Sequence, residues 1–277
     1  MKKIGFIGCG HMASSMLNTF LSQQIFQPSQ IIISETPERA SQIRNSAEFQ
    51  GCSIVSDNKL AASNSDILFL CVKPLAVPEV INEIKGVLNA KKQHLVSIAA
   101  CVEIAAIEKF FKGRITRTLP TVISESGNGT TFITHNKSVC MASVIEIENI
   151  LKSLGDVVPI SENDYASAVN ITSSAPGILA AIFDNYSHSA IRNTGIPKEV
   201  SDRLLLRTIF GTIKMLWENN ISFRELTDKV ATKGGITEAS LNIIDVQLPP
   251  VFDSAVANAI AKDSEIKTLI SEKIKTL

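Results

Sequence analysis

The residues with the clearest chemical potential stand near the start of the chain, in Gly8-Cys9-Gly10-His11-Met12-Ala13. Two glycines and an alanine at G-x-G-x-x-A spacing describe a turn that approaches a dinucleotide pyrophosphate. Gly8 permits the tight turn, Gly10 brings no Cβ against a phosphate, and Ala13 lets the following helix pack close to its strand. The free N–H groups and the positive end of that helix then face the anion. Glu35, about 20–25 positions later, is placed to accept the hydroxyls of an adenosine ribose; a solvated charge at a strand end is the plain alternative. A third group is Gly234-Gly235 followed by Thr237. Backbone N–H groups at a helix N-terminus beside a hydroxyl suit a small carboxylate. The same residues also read as an ordinary glycine C-cap and threonine N-cap, and spacing alone does not separate the two.

The elements that must position these groups follow from hydrophobic patterning. Lys3 to Ile7 is a short apolar strand, and from Met12 the pattern turns helical, with Met12, Met16, Leu17 and Phe20 on one face. Gln30 to Ser34 is a second strand ending at Glu35, Pro37 opens a helix, and Ser53 to Val55 is a short strand. Lys59 to Ser63 reads as a small-residue helix, and Asp66 to Val72 as a strand buried on both faces of a parallel sheet. Alternation continues through a helix over 77–88, a strand over 94–99, a helix over 103–111 and strands over 115–119 and 130–134. A helix over 144–153 and a strand over 157–160 complete it. This regular alternation means a doubly wound sheet. Beyond Ile160 the strands stop. Helices are expected over 162–173, 177–193 and 197–219, then one opened by the capping box Ser222-Phe223-Arg224-Glu225 and ended by Gly234-Gly235, then three short helices. The predicted fold is α/β: a Rossmann-type sheet domain over 1–160 and an all-helical dimerisation and substrate domain over 161–277.

Composition removes several classes of function. The chain has 277 residues, 27 Lys and Arg against 27 Asp and Glu, and no net formal charge, so nothing in its electrostatics favours nucleic acid or an anionic membrane. No uninterrupted apolar run approaches the ~20 residues of a membrane span, and the N-terminus lacks the pattern of a secretory signal. The four histidines are scattered without metal-ligand spacing, so no metal site is expected. Five cysteines, none in a C-x-x-C pair, read as mostly buried reduced thiols of a cytoplasmic protein. Cys9 lies in the glycine loop, as an oxidation-sensitive thiol or an inert loop side chain. Leu179 to Phe183 leaves its helix no wet face, which calls for cover by a second subunit.

Ile7-Gly8-Cys9-Gly10-His11-Met12, Val72-Lys73-Pro74, Ser97-Ile98-Ala99-Ala100 and Arg117-Thr118-Leu119-Pro120 occur in an order and spacing that resemble the pyrroline-5-carboxylate reductase family. So do Ser173-Ser174-Ala175-Pro176 and Thr232-Lys233-Gly234-Gly235-Ile236-Thr237, and the likeness spans essentially the whole chain. It implies cofactor contacts at Gly8, Gly10, His11, Met12, Glu35, Asn58, Val72, Lys73, Pro74 and Ala99. It implies substrate contacts at Thr121, Ser174, Thr232, Gly234 and Gly235, with Thr237 as the catalytic contact. The implied activity is hydride transfer from NAD(P)H to the imine carbon of 1-pyrroline-5-carboxylate or a close cyclic imino acid, giving L-proline. Glu35 leans the choice toward NADH, with NADPH tolerated through Arg39. The implied assembly is a homodimer, or a multiple of dimers, with interleaved helices. The substrate half departs from the family pattern: Thr121 stands where the family has Asn, Lys233 where it has Pro, and Ile236 where it has Thr. Asp184, where the family tends to have Glu, reads as a buried hydrogen-bonding group.

Two other readings remain open from sequence. One is a related NAD(P)-dependent dehydrogenase of another small acid; those families place a catalytic Lys early in the helical half, and 162–193 contains none. The other is a non-catalytic descendant that binds the nucleotide without turnover.

Overall fold

The computed structural model describes residues 1–126 and 129–277. Eight strands form one sheet: β1 (Ile4–Ile7), β2 (Ile31–Ser34), β3 (Ser53–Val55), β4 (Ile67–Leu70), β5 (His94–Ser97), β6 (Arg114–Leu119), β7 (Gly129–His135) and β8 (Gly155–Pro159). Their order is β3-β2-β1-β4-β5-β6-β7-β8. The strands from β3 to β6 run parallel, β7 is antiparallel to β6, and β8 is parallel to β7. Ile4 pairs with both Ile31 and Ile67, so β1 is central and its C-terminal end opens where the strand order reverses. That reversal is the usual ligand crevice of a doubly wound sheet.

Helices α1 (His11–Ser22), α2 (Pro37–Arg44), α3 (Asn58–Ser63), α4 (Val77–Ile84), α5 (Ile104–Ile107), α6 (Met141–Leu151) and α7 (Tyr165–Val169) accompany the sheet. Alternate residues of β1 feed a core on each face. Phe6, Met16, Leu17, Phe20 and Phe69 fill one, with the rings of Phe6 and Phe69 stacked at 4.8 Å. Ile7, Leu68, Leu70, Ile81 and Leu95 fill the other. Each side chain so buried contributes about 1.5–3 kcal/mol. On β6 the buried Arg117 pairs with Glu162 at 3.0 Å and stacks 3.9 Å from the Tyr165 ring, whose hydroxyl donates to the Arg117 carbonyl at 3.0 Å. A guanidinium this deep is tolerated because its charge is met.

The chain divides into two compact units, Met1–Ser173 with Ile260–Leu277, and Ser174–Ala259. The sequence boundary at Ile160 marks the last strand, but α7 stays with the first unit because Tyr165 is buried beside Leu119 and Phe132. The second unit holds α8 (Ala175–Thr194), α9 (Lys198–Asn219), α10 (Phe223–Val230) and the first part of α11 (Ile236–Lys275).

Several expectations are corrected. The three short C-terminal helices are one helix of 40 residues with Pro249 and Pro250 inside it. Its last turns pack Ile266, Ile270 and Ile274 onto the second core of the first unit, and Lys273 reaches Glu79 at 2.8 Å. The helix over 103–111 is a single turn, because Phe111 turns into the core instead of continuing it. Helix α10 stops at Val230, ahead of the glycine pair. Between α7 and α8 the backbone widens into a π-helical turn over Asn170–Ser174, so Pro176 falls in the first turn of α8 and the helical run continues. That run, Glu162–Thr194, is by length and composition long and apolar enough to cross a membrane, although no uninterrupted apolar stretch announces it. It is rich in Ala, Ser and Thr with few charges. Within the single chain Leu179 is 47% exposed. Asp184 is exposed rather than buried and lies 3.3 Å from His188. Of the cysteines expected to be mostly buried, Cys9 is buried, Cys52, Cys71 and Cys101 are half-buried, and Cys140 is exposed.

Candidate active site

In the first unit the glycine turn carries α1 out of β1. Gly8 has φ +90°, and a Cβ there would lie 2.9 Å from the Cys71 carbonyl group, so both turn and close approach require glycine. A Cβ at Gly10 would meet open space, and as the N-cap of α1 Gly10 brings no side chain of its own to the first turn of the helix. Ala13 is buried against the sheet, as its place in the motif requires. Burial pushes the Cys9 thiol up, with its Sγ 3.4 Å from the Ser14 hydroxyl, so little reactive thiolate is present.

Glu35 follows β2 directly. Its Oε1 accepts from the Cys9 N–H at 2.5 Å and its Oε2 from its neighbour Thr36 N–H at 3.0 Å, so the carboxylate leans onto the glycine loop. Asn58, the first residue of α3, accepts from the Ser34 hydroxyl through Oδ1 at 2.8 Å and donates from Nδ2 to Glu83 at 2.9 Å. Gly8, Glu35, Asn58, Val72 and Glu83 line one cavity of about 280 Å³. The fold thus gathers residues from five parts of the sequence at the C-terminal ends of the strands. Lys73 is exposed and caps the turn Pro74–Ala76, Ala99 is buried with its N–H toward Ser97, and His11 and Met12 open α1. Neither Ser34 nor Glu83 was picked out by sequence reasoning. Their only signal is position, a polar strand end and a helix end, and many residues share it.

Thr121 also belongs to the first unit, two residues beyond β6; it is 2% exposed, and its hydroxyl has no hydrogen-bond partner among the described residues. The Ser124 hydroxyl of the next turn is likewise buried, with no partner among the described residues.

In the second unit Thr232, Gly234 and Gly235 form one tight turn ahead of α11. Gly234 has φ +74°, and the Gly235 N–H donates to the Thr232 carbonyl at 2.9 Å. A Cβ at Gly235 would meet Thr232 Oγ1 at 2.5 Å, so the second glycine is required by packing. Helix α11 starts at Ile236, placing Thr237 in its first turn. Thr237 lines a largely apolar cavity of about 480 Å³ with Phe183, Thr208, Thr212, Leu216 and Thr227. Glu238 accepts from the Gly234 N–H at 2.7 Å. The N–H that the sequence offers to an anion therefore already faces a carboxylate of the chain. Ser174 immediately precedes α8 and is half-buried.

Comparison with known proteins gives one match in each half of the chain. Residues 3–101 match the family model described as NADP oxidoreductase coenzyme F420-dependent, and residues 162–266 match pyrroline-5-carboxylate reductase dimerisation. Pyrroline-5-carboxylate reductase 3 of Bacillus subtilis is 33% identical over 95% of this chain and 96% of its own. A solved pyrroline-5-carboxylate reductase from Coxiella burnetii aligns with a TM-score of 0.81 at 26% identity, over 96% of this chain and 98% of that one. The Plasmodium falciparum pyrroline carboxylate reductase with NADP bound shares the fold, with a TM-score of 0.82 at 24% identity over 97% and 98% of the two chains. A nucleotide-binding sheet with a glycine turn, a helical dimerisation domain and a relative aligned end to end make this chain a member of the pyrroline-5-carboxylate reductase family, an oxidoreductase that works with a nicotinamide cofactor.

Proposed function

We propose that the protein reduces 1-pyrroline-5-carboxylate to L-proline in the cytoplasm as a homodimer or a multiple of dimers, with NADH preferred over NADPH. The observation that carries this reading is the pairing of a glycine turn fitted to a pyrophosphate with a second glycine turn that sets Thr237 on an apolar cavity. The first turn fits the coenzyme because Gly10, at the N-cap of a helix of 12 residues, carries no side chain and a Cβ there would meet open space. Gly8, Gly10, His11 and Met12 would hold the pyrophosphate, Glu35 and Asn58 the adenosine ribose, and Val72, Lys73, Pro74 and Ala99 the remainder. Bound there, the nicotinamide supplies the hydride that turns C=N into CH–NH.

A protonated cyclic imine is electrophilic at carbon without further acid, so the chain has to orient rather than activate. The Thr237 hydroxyl accepts a hydrogen bond from the iminium N–H and donates one to the product amine. The resemblance assigns substrate contacts to Gly234, Gly235, Thr232 and Ser174 in the second unit and to Thr121 in the first; a substrate carboxylate would reach the Gly234 and Gly235 N–H groups by displacing Glu238 and the Thr232 carbonyl that now accept from them. The apolar walls keep water from the ring. NADH preference rests on Glu35, whose carboxylate accepts hydroxyls but repels a 2′-phosphate. The exposed apolar face of α8 is where a second copy would bind.

Following NADH and NADPH oxidation with pyrroline-5-carboxylate and a panel of cyclic imines tests the proposal. Turnover of pyrroline-5-carboxylate at the highest kcat/KM of the panel is expected. Coenzyme binding with no imine reduced would instead support a nucleotide-binding protein without turnover.

A further inference from the structure

The cavity beside Glu35 contains a second carboxylate. Glu83 lies in the last turn of α4 and lines the same 280 Å³ space as Glu35 and Asn58, while no Lys or Arg lines it among the described residues. Helix energetics do not account for an acid there, since the C-terminal end of a helix carries partial negative charge and disfavours a carboxylate. What holds it is a relay from the sheet. Ser34 is 1% exposed at the end of β2 and donates its hydroxyl to Asn58 Oδ1. This fixes the Asn58 amide with its nitrogen turned to Glu83, at 2.9 Å. Glu35 meanwhile has one oxygen on the Cys9 N–H and the other on the Thr36 N–H. One acidic group is thus committed to the glycine loop, and the other is held at the cavity wall by Asn58.

We propose that Glu83, positioned by Asn58, is a second determinant of coenzyme choice, making this cavity selective for an adenosine ribose with free 2′- and 3′-hydroxyls. The inference rests on the reading that the cavity takes the adenosine end of the coenzyme. A ribose hydroxyl can donate to either carboxylate, or accept from the second Asn58 N–H. A 2′-phosphate brings about two negative charges into a site with two already present, and no cation on its wall offsets them. The selectivity is therefore shared between two elements, β2 and α4, and removal of Glu35 alone leaves part of it in place.

Binding measurements on the full-length protein test this without reliance on turnover. Dissociation constants for NADH and NADPH, and for the fragments 5′-ADP and adenosine 2′,5′-bisphosphate, are compared in wild type, Glu83→Gln, Glu35→Gln and the double variant. Glutamine keeps an oxygen for the Asn58 amide, so Glu83→Gln removes charge and retains the hydrogen bond. Glu83→Ala removes both, and melting curves report whether each variant folds. The expected result is a three- to ten-fold fall in the NADPH/NADH ratio of dissociation constants for Glu83→Gln, with the same trend in the fragments. The change should shrink in 0.5 M salt, and the double variant should exceed either single one. An unchanged ratio in a folded Glu83→Gln protein, with Glu35→Gln altering it, overturns the inference and leaves the adenosine reading standing. If the fragments do not compete with NADH in any variant, the adenosine reading fails and takes the inference with it. A ratio that moves for Glu83→Gln but not for Glu35→Gln supports Glu83 and removes Glu35 from the account.

Discussion

At the scale of single residues, Thr237 separates a catalytic contact from a helix-end residue. In Thr237→Ala, loss of one hydrogen bond to a charged group is expected to lower kcat/KM by roughly ten- to a hundred-fold, about 1.5–3 kcal/mol, with near-native melting. A depressed melting temperature with catalysis preserved would reduce Thr237 to a structural role. Glu35→Ala should shift coenzyme preference toward NADPH several-fold in kcat/KM; an unchanged preference would remove Glu35 from the choice. His94 carries a pH effect on stability. Burial is the main reason its pKa falls from 6.5 to about 3, with the Arg114 charge adding to it, and its Nε2 lies 2.7 Å from the Thr116 hydroxyl. His94 is thus neutral when folded and protonates near pH 6.5 when unfolded. The unfolded chain then binds more protons between about pH 6.5 and pH 3, so the stabilisation is complete above that window and is lost as pH falls through it. Denaturation midpoints taken from pH 7 to pH 4 should fall more steeply in wild type than in His94→Gln, by up to about 1.4 kcal/mol per pH unit for one site. Parallel profiles would show that His94 does not titrate this way.

At the scale of elements, α11 is the sharpest departure from local rules. Each interior proline removes an N–H from the helix ladder and crowds the carbonyl four residues back, at about 3 kcal/mol. The helix nevertheless continues past Pro249-Pro250, and its end is anchored where Ile270 is 2% exposed in the second core of the first unit. Replacing both prolines by alanine should raise the melting temperature if the helix is continuous there. No change, or a fall, would show that the pair closes one helix and opens another. The capping box at Ser222 is the opposite case. Both reciprocal bonds form, Glu225 N–H to Ser222 Oγ at 3.2 Å and Ser222 N–H to Glu225 at 2.7 Å, where the four-residue pattern placed them.

At the scale of the whole molecule, the second unit leaves large apolar side chains uncovered. Leu206 is 67% exposed, Phe210 71% and Trp217 84%, all on α9. Surface of this kind is normal where a second chain binds and a liability where none does. Sedimentation at micromolar concentration should show a dimer or a multiple of dimers; a folded, monodisperse monomer would falsify the assembly.

What the sequence determined by itself is local or strictly periodic. The glycine turn, the alternation of strands and helices, the capping box and the switch to helices after Ile160 each depend on neighbours within a few residues, or on burial of both sheet faces. The order of family-like motifs along the chain carried the resemblance on the same terms, one segment at a time. Tertiary structure decided whatever depends on groups distant in sequence. Asn58 points its amide at Glu83 only because the Ser34 hydroxyl, at the end of β2, donates to its oxygen. The Gly234 N–H faces Glu238 because the turn brings the first turn of α11 back over it. Residues 260–277 return to the first unit because Ile266, Ile270 and Ile274 find an apolar face there. Periodicity announces that a helix has an apolar side, but the surface that side meets is settled only when the chain is packed.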